Sequence, residues 1–416
     1  MKIRIIFFVL IGFSLLTCSK ENSSPGEVIQ DGVVVEKKPK WKRWTTDDGI
    51  HRSFTGGQIT YNDGFVAINR KNGLDYLALF DGETGDIIWE WRDLIGIDTR
   101  MDLFFTHIYE NYLVYQRGSR TYCIDLESGE TVWSAQRHQP FHNYISGFRY
   151  NYFLTGKFDY RINGINLYGL FIGDVRYPGI EQWIHPRYDT TRQSMRGNLG
   201  APGMPLGFTR DGQDYLIMAF GEGGEDWLVE PYSALYNLTR EEWVYDRAPL
   251  TVPPHARNSV DGRPIIEGDR VYFTPGHHVV CHNLWTGEQI WRFDSNGNFV
   301  FGGMMVHNGR VYAQSEADAL WCLDAETGEV LWKGPHLGTT SKMAHLNGIL
   351  YIVEGGHLYA LDMITGEIYW KIVSPDHECC DENFKREINV LPGKDGEKGL
   401  VLTSTYLSAV AYEAIR

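Results

Sequence analysis

The sequence lacks an excess of positive charge, and it has little that could cross a membrane. Its 416 residues include 39 Lys and Arg against 53 Asp and Glu, which gives a formal net charge of −14. Sequence-independent binding to nucleic-acid phosphates needs an excess of positive charge, so no nucleic-acid partner is expected. The one strongly apolar run, from Ile5 to Leu16, is too short to span a bilayer comfortably.

Signatures of common catalytic sites are also missing. The chain has no Cys-x-x-Cys-His segment for an attached haem, no nucleophile elbow, no zinc-protease helix and no phosphate loop. Of its six cysteines, Cys123, Cys281 and Cys322 each lie two residues before the Asp or Asn of a repeated phrase. We expect them to be small, buried core residues with free thiols. The sequence favours a non-catalytic protein, although it does not decide whether the protein is an enzyme.

The amino terminus predicts export and a lipid anchor. Lys2 and Arg4 precede the apolar run, as in a secretory signal peptide. The run ends in Leu-Leu-Thr-Cys18, which resembles the bacterial lipobox and implies lipidation of Cys18; the alternative is an ordinary secretion signal with a chance cysteine. We therefore predict a signal peptide over residues 1–17 and a lipid-anchored, flexible tether over residues 18–40, rich in Ser, Lys, Glu and Pro.

A nine-residue phrase, Asp-x-x-Thr-Gly-x-x-x-Trp, recurs along the chain. Five good copies begin at Asp81, Asp125, Asn283, Asp324 and Asp362. Weaker copies end at Trp183 and Trp243, and successive Trp positions lie 38 to 60 residues apart, which suits one four-stranded propeller blade per repeat. The structural Trp residues of the repeat are Trp89, Trp133, Trp183, Trp291, Trp332 and Trp370.

Each phrase predicts a strand, a tight turn and a second strand. Gly supplies a backbone position of positive φ, while the Asp and Thr side chains bond to nearby backbone groups. The Trp then lies on the outgoing strand, where its ring can pack against the next blade. Upstream, Asn308-Gly309 and Asn347-Gly348 separate alternating apolar runs, which is a strong hairpin signal.

These motifs resemble the repeats of the pyrroloquinoline-quinone-like (PQQ-like) β-propeller family. Leu358-Tyr359-Ala360-Leu361-Asp362 matches the middle element of that repeat, and the resemblance covers about residues 46–416. It implies an all-β propeller of about eight four-stranded blades, with seven as the alternative. The family includes dehydrogenases, membrane-assembly scaffolds and binding proteins, so the resemblance specifies the fold more than the function.

The last repeat lacks its outer strand. Three strand-like runs follow Trp370, but no further Thr-Gly-x-x-x-Trp phrase does. We expect the N-terminal side of the domain, around Trp41 to Thr46, to supply this strand, so that N- and C-terminal strands pair and close the ring. The propeller domain is accordingly predicted over residues 41–416.

The insertions predict which face of the propeller binds a partner. In an up-and-down blade the first and third connections lie on one face, and the second connection and the crossing to the next blade lie on the other. We expect every large insertion on this second face, where variable loops on a rigid scaffold usually carry function. The candidate ligand or partner residues there are His185, Arg187, Arg192, Arg196, Trp227, His255, Arg257, His277, His278 and His377. The alternative is that several of them only pair with nearby acids.

Cys379 and Cys380 lie in the long connection after Trp370 and form a possible vicinal disulfide. The family resemblance implies this possibility, because such disulfides occur beside the quinone in some dehydrogenases of the PQQ-like family. Metal binding with His377 is another possibility, and a polar surface loop with an unpaired or structural cysteine pair is the plainer one.

The sequence therefore predicts a lipid-anchored propeller of the bacterial outer membrane, on its periplasmic or cell-surface side, that binds a protein or glycan and is monomeric. It resembles the outer-membrane assembly scaffold propellers. No metal or cofactor is expected. The alternatives are a surface glycan-binding module and a PQQ-dependent dehydrogenase-like enzyme with calcium, whose ligands and catalytic base cannot be matched to residues of this chain.

Overall fold

A computed structural model gives the architecture of most of the chain. The residues that it describes are 27–45, 58–94, 101, 103, 108–117, 120–136, 142–144, 152–162, 165–173, 176, 182–184, 205–223, 229–252, 262–295, 300–315, 319–334, 341–377, 382–385, 387–394, 397–405 and 407–416. Within them lie 34 β-strands in eight sheets, seven of four strands and one of six. The prediction of an all-β propeller is confirmed.

The first strands of the chain are β1 (Glu27–Gln30), β2 (Val33–Lys37) and β3 (Trp41–Trp44). Blade 1 comprises β4 (Gln58–Tyr61), β5 (Gly64–Lys71), β6 (Leu74–Asp81) and β7 (Ile87–Trp91). Blade 2 comprises β8 (Ile108–Tyr109), β9 (Tyr112–Arg117), β10 (Arg120–Asp125) and β11 (Thr131–Gln136). Blade 3 comprises β12 (His142–Tyr144), β13 (Tyr152–Ile162), β14 (Ile165–Gly173) and β15 (Gln182–Ile184).

Blade 4 comprises β16 (Leu206–Arg210), β17 (Gln213–Gly223), β18 (Val229–Asn237) and β19 (Glu242–Pro249). Blade 5 comprises β20 (Ile265–Glu267), β21 (Arg270–Phe273), β22 (His278–Asn283) and β23 (Gln289–Asp294). Blade 6 comprises β24 (Val300–His307), β25 (Arg310–Ser315), β26 (Leu320–Asp324) and β27 (Val330–Lys333). Blade 7 comprises β28 (Met343–Leu346), β29 (Ile349–Glu354), β30 (His357–Asp362) and β31 (Ile368–Ile372). Blade 8 comprises β32 (Ile388–Leu391), β33 (Leu400–Ser404), β34 (Ser408–Glu413) and β3.

Strands within a blade pair antiparallel in chain order, from the axis outward. The innermost strands β20, β24, β28, β32 and β4 contact one another in that succession around the axis. Blade 8 therefore lies beside both blade 7 and blade 1. The apolar cores form between blades, as in the cluster that joins Tyr351 and Trp370 of blade 7 to Val401 and Val410 of blade 8.

The ring closes through strands from the two ends of the domain. β3 pairs antiparallel with β34, and Trp41 lies opposite Ala411. This register matches the repeat, because Trp370 lies opposite Ala360 and Trp332 lies opposite Cys322. The predicted closure by N- and C-terminal strands is confirmed, and Trp41 takes the position of the Trp that the last repeat lacks.

Part of the segment predicted as a flexible tether is folded. β1 and β2 form an antiparallel hairpin, and β2 adds in parallel to the outer edge of β31, where Val34 lies opposite Trp370. Blade 7 thereby becomes the six-stranded sheet. The β-branched run Val33–Val35 suits a strand, and it lies between β1 on one side and the edge of blade 7 on the other.

The repeated phrase forms the same turn in each good copy that the structure describes. In the copy at Asp324, one carboxylate oxygen accepts hydrogen bonds from the backbone N–H of Glu326 and of Thr327, each at 2.9 Å. The N–H of Gly328 bonds to the carbonyl of Asp324 at 2.9 Å, and this glycine has φ of 76°. A residue with a Cβ is disfavoured at such a φ, which explains the Gly of the phrase.

A Trp from one blade covers the turn Gly of the next blade. A Cβ placed on Gly328 would lie 2.6 Å from the ring of Trp291, and the indole Nε1 of Trp291 donates to the carbonyl of Ala325 at 3.0 Å. The same contact joins Trp89 to Gly129 and Trp332 to Gly366. The Gly therefore serves both the turn and the close approach of a neighbouring indole.

Blade 4 makes this contact with a different residue. Tyr245, opposite Leu235, lies 3.1 Å from the Cβ position of Gly287 in blade 5. Trp243, which ends the weak copy in the sequence, instead packs edge-on against Tyr236 of its own blade, with ring centroids 4.9 Å apart. Tyr245 lies eight residues after Asn237, as Trp332 lies eight residues after Asp324, so Tyr245 takes the Trp position of the phrase and Trp243 lies two residues before it.

The prediction for the repeat cysteines is confirmed. Cys123, Cys281 and Cys322 are buried, and their thiols are not in disulfides. Burial raises the pKa of the Cys281 thiol to about 11, so this thiol is protonated and unreactive at neutral pH.

Candidate functional site

Strand direction divides the connections between two faces of the ring. We call the face with the two short turns of each blade the turn face, and the face with the middle connections and the blade crossings the loop face. The crossings from blade 4 to blade 5 and from blade 7 to blade 8 are the longest loop-face connections of which the structure describes both ends, and more of the second, over residues 373–387, is described. The second crossing is therefore the part of the candidate partner face for which the contacts of individual residues are described most fully.

Most of the predicted partner residues lie outside the described part of the chain. These are His185, Arg187, Arg192, Arg196, Trp227, His255 and Arg257, together with Cys379, Cys380 and the predicted lipidation site Cys18. The side chain of Trp183 is likewise outside it. His277, His278 and His377 are described.

His277 and His278 lie on the loop face but are buried, with exposed fractions of 8% and 4%. The turn Pro275-Gly276 turns the chain into β22, and the carbonyl of His277 accepts hydrogen bonds from the backbone N–H and the hydroxyl of Ser295. Nε2 of His278 is 3.5 Å from Asp294, while burial lowers the pKa of His278. The two histidines thus offer little surface to a partner.

His377 is exposed, at the point where the blade 7 to blade 8 crossing leaves its anchored base. Its backbone N–H bonds to the carbonyl of Ser374 at 3.1 Å. Further along, the N–H of Glu382 bonds to the carbonyl of Asp376 at 3.3 Å, and the N–H of Lys385 bonds to Ser404 at 2.8 Å. The two described ends of the crossing are therefore bonded to each other and to blade 8.

Asp376 is the polar centre of this anchor, and it is fully buried. One carboxylate oxygen accepts hydrogen bonds from the hydroxyls of Thr405 at 2.8 Å and Ser408 at 2.6 Å. The other pairs with Lys42 of β3. A buried carboxylate is tolerated when its oxygens are paired in this way. The sequence singled out the histidine and cysteines of this loop and missed Asp376, because its partners come from distant strands.

Lysines of this region are paired with buried acids. Nζ of Lys342 is 2.7 Å from Glu387, and Nζ of Lys385 is 3.7 Å from Glu382. With Lys42 on Asp376, three lysines around the crossing each face a carboxylate that is at most 6% exposed. Positive charge in the described part of the loop face is thus partly neutralised, while the lysine stems remain 23% to 44% exposed.

Sequence comparison identifies the repeats. The family model described as outer membrane protein assembly factor BamB matches residues 241–333 and 275–384, together about a third of the chain. These ranges contain the repeat phrases that end at Trp291, Trp332 and Trp370. Residues 241–384 therefore carry PQQ-like β-propeller repeats.

Solved structures support the propeller fold. BamB from Moraxella catarrhalis is 14% identical, with a TM-score of 0.54, over 87% of this chain and 98% of that one. Quinohemoprotein alcohol dehydrogenase from Comamonas testosteroni is 9% identical, with a TM-score of 0.58, over 90% of this chain and 76% of that one. Sqt1 from Saccharomyces cerevisiae is 9% identical, with a TM-score of 0.61 over 89% and 98%. At these identities the likeness shows the fold alone. Comparison with curated protein sequences gives no significant match.

The propeller has a large insertion on the turn face, so the prediction that all lie on the loop face is wrong. The first connection of blade 8, over residues 392–399, replaces the two-residue turn that blades 1, 2 and 4 to 7 have at this point. With blade 1 it forms an open pocket of about 320 Å³, lined in part by Asp63, Glu83 and Lys394. Lys394 crosses to Asp63 at 2.6 Å, and this hydrogen bond raises the pKa of Lys394. The sequence signal was present, since Pro392 to Gly399 is rich in Gly and Lys.

Two further features are absent from the described residues. No helix among them is long and apolar enough to cross a membrane. They also contain no group of three or more His, Cys, Asp or Glu side chains arranged to hold a metal ion.

Proposed function

We propose that this chain is a non-catalytic, lipid-anchored scaffold of the bacterial cell envelope that binds a protein partner during outer-membrane protein assembly. The observation that carries the proposal is the match of residues 241–333 and 275–384 to the family model described as outer membrane protein assembly factor BamB. BamB from Moraxella catarrhalis shares the fold over 98% of its chain.

The partner surface in this proposal is the loop face around the blade 7 to blade 8 crossing. The hydrogen bonds of Asp376 and Glu382 fix both ends of the crossing on the rigid ring. His377 is exposed beside them, and Lys342 keeps 44% of its side chain in solvent. A preformed backbone lowers the ordering cost of binding, and partly exposed cations on it would select an acidic partner segment.

Site-specific photocrosslinking tests the partner and the face together. A photoreactive residue at His377 should capture an outer-membrane protein assembly component in living cells. The matched control is Ile364 on the turn face, which is 60% exposed and should give no such capture. Equal capture from both positions would contradict the loop face as the binding surface, and capture of no assembly component from either would contradict the scaffold.

The anchor is tested separately. Labelled palmitate should enter the wild-type protein, and the protein should fractionate with the outer membrane. A Cys18→Ala variant should incorporate no label and should be released from the membrane fraction. Equal labelling of both forms would rule out lipidation at Cys18.

The absence of a cofactor in this proposal is open to a direct measurement. Reconstitution with PQQ and Ca²⁺ should produce no bound-quinone absorbance at saturating cofactor. A stoichiometric quinone spectrum would favour the dehydrogenase-like alternative. A glycan-array signal that is lost in Trp227→Ala would favour the glycan-binding alternative.

A further inference from the structure

Two histidines meet where the innermost strands of blades 6 and 7 run side by side. His307 is the last residue of β24, and His345 is the residue before the last in β28. Their ring centroids are 4.0 Å apart and the ring planes are tilted by 38°. Both side chains are half-buried, at the turn-face end of the axis. Two imidazoles from different blades are thus in direct contact at a place that solvent reaches.

Blade packing does not require histidines at these positions. At the next junction the corresponding residues are Leu346, the last residue of β28, and Val390, the residue before the last in β32. Both pack against the apolar cluster between blades 7 and 8. An aliphatic pair therefore fills the same gap in this fold, and the histidine pair is a chemical departure from it.

The environment favours an uncharged imidazole at His345. Burial lowers the pKa of His345, and the neighbouring His307 lowers it further. Two protonated rings in contact would repel each other, whereas neutral imidazole nitrogens are metal ligands. Among the described residues no third His, Cys, Asp or Glu joins them in a group of three. A metal bound here would have two protein ligands and open positions for water.

We propose that His307 and His345 together bind one divalent ion of the late first-row transition metals, such as Cu²⁺, Ni²⁺ or Zn²⁺. Imidazole suits these metals, and metal–nitrogen bonds of about 2.0–2.1 Å place two ligating nitrogens about 3 Å apart. The ring centroids lie 4.0 Å apart, so binding would require a rotation of the side chains that turns one nitrogen of each ring toward the ion. Because the ligands belong to β24 and β28, the ion links blades 6 and 7.

Isothermal titration of the full chain, purified without a polyhistidine tag, tests the site. The chain has 14 histidines, so variants must identify the ligands. CuCl₂ should bind with one-to-one stoichiometry, more tightly than ZnCl₂. Each of His307→Leu and His345→Val should weaken this binding by at least about tenfold, since each removes one of two ligands. These substitutions copy the Leu346 and Val390 contact, so folding should be preserved.

A histidine outside the site provides the control. His357 follows the tight turn of blade 7 on the loop face, where Nδ1 lies 3.0 Å from the carbonyl of Gly355. His357→Gln should bind Cu²⁺ as the wild type does. Copper should also raise the melting temperature of the wild type and of His357→Gln, and leave that of the His307→Leu, His345→Val double variant unchanged. No binding at millimolar copper, or unchanged affinity in both ligand variants, would overturn the proposal.

Discussion

The junction between blades 5 and 6 and the junction that closes the ring use the same contacts, although their residues come from different parts of the chain. In the first, Trp291 lies on Gly328 and donates to Ala325 at 3.0 Å. In the second, Trp41 lies on Gly85 and donates to the carbonyl of Gly82 at 2.9 Å. Closure of this propeller is therefore one more repeat junction, with its outer strand supplied from the other end of the domain.

The two junctions differ in how the Trp-bearing strand is held. β23 is joined to β22 by the turn around Gly287, whereas β3 is held to β34 only by pairing and side-chain contacts. The closing junction has an additional polar support, because Lys42 of β3 pairs with the buried Asp376. The same indole contact thus stabilises an ordinary blade junction in one case and helps to hold the ring closed in the other.

Removing the closing indole should give the largest effect. Trp41→Ala should lower the free energy of unfolding by about 3–5 kcal/mol, as expected for loss of a packed Trp, and should release β3. Trp291→Ala should cost a similar free energy without freeing a strand. Urea unfolding measures the loss of free energy of unfolding, and limited proteolysis near residue 41 measures the release of β3. Equal protease resistance in both variants would show that β3 does not depend on Trp41.

Removing Asp376 should affect the closing junction next most strongly. Asp376→Ala leaves Lys42 and two buried hydroxyls without their acceptor, which we expect to cost about 2–3 kcal/mol. Asp63→Ala is the matched control, because the side chains of Lys394 and Asp63 are 67% and 69% exposed and their ion pair should contribute little to stability. Chemical denaturation of both variants compares them. A smaller loss for Asp376→Ala than for Asp63→Ala would remove the claimed support of closure.

A glycine substitution separates backbone strain from the Trp contact. Gly309 and Gly328 have φ of 70° and 76°, but a Cβ at Gly309 meets nothing within 4 Å, whereas one at Gly328 overlaps Trp291. Gly309→Ala should therefore cost about 1 kcal/mol, and Gly328→Ala about 1–2 kcal/mol more. Thermal unfolding of the two variants provides the measurement. Equal losses would mean that Trp291 moves aside freely.

The smallest effect concerns pH. The backbone N–H of Thr327 is the main cause that lowers the pKa of Asp324. A carboxyl group with a lowered folded-state pKa stabilises the fold above its unfolded pKa, and this contribution is lost as the pH falls through the folded-state pKa. Asp324→Asn should remove this contribution, which is below about 1 kcal/mol because the site is exposed. Asn283, at the same position in blade 5, shows that an amide fits the turn.

The measurement is the difference in unfolding free energy between pH 7 and pH 3 for the wild type and for Asp324→Asn. The wild type should lose slightly more stability over this range. An identical loss in the two proteins would show that the Asp324 carboxylate does not contribute.

The fold could be predicted from the sequence because its signals are local. The Gly of each phrase, its Asp and its Trp lie within nine residues, and each has one physical role. Features that depend on a neighbouring blade were missed: the β1–β2 hairpin on β31, and Asp376 with its distant partners. Tyr245 was also missed, although it lies at the Trp position of its phrase, because the nearby Trp243 has the residue type expected there. The candidate site was the least predictable part, because a loop's partners are chosen by the folded ring and not by its own residues.

The β1–β2 hairpin also determines the order in which the molecule would respond to mechanical load. A pull on the chain at Glu27 reaches β1 and β2 first, where Val34 lies opposite Trp370 at the edge of blade 7. It reaches β3, which holds the ring together, only after the hairpin has detached. The hairpin is thus in series with the closing strand, and its eleven residues can extend by about 35 Å before tension reaches Trp41.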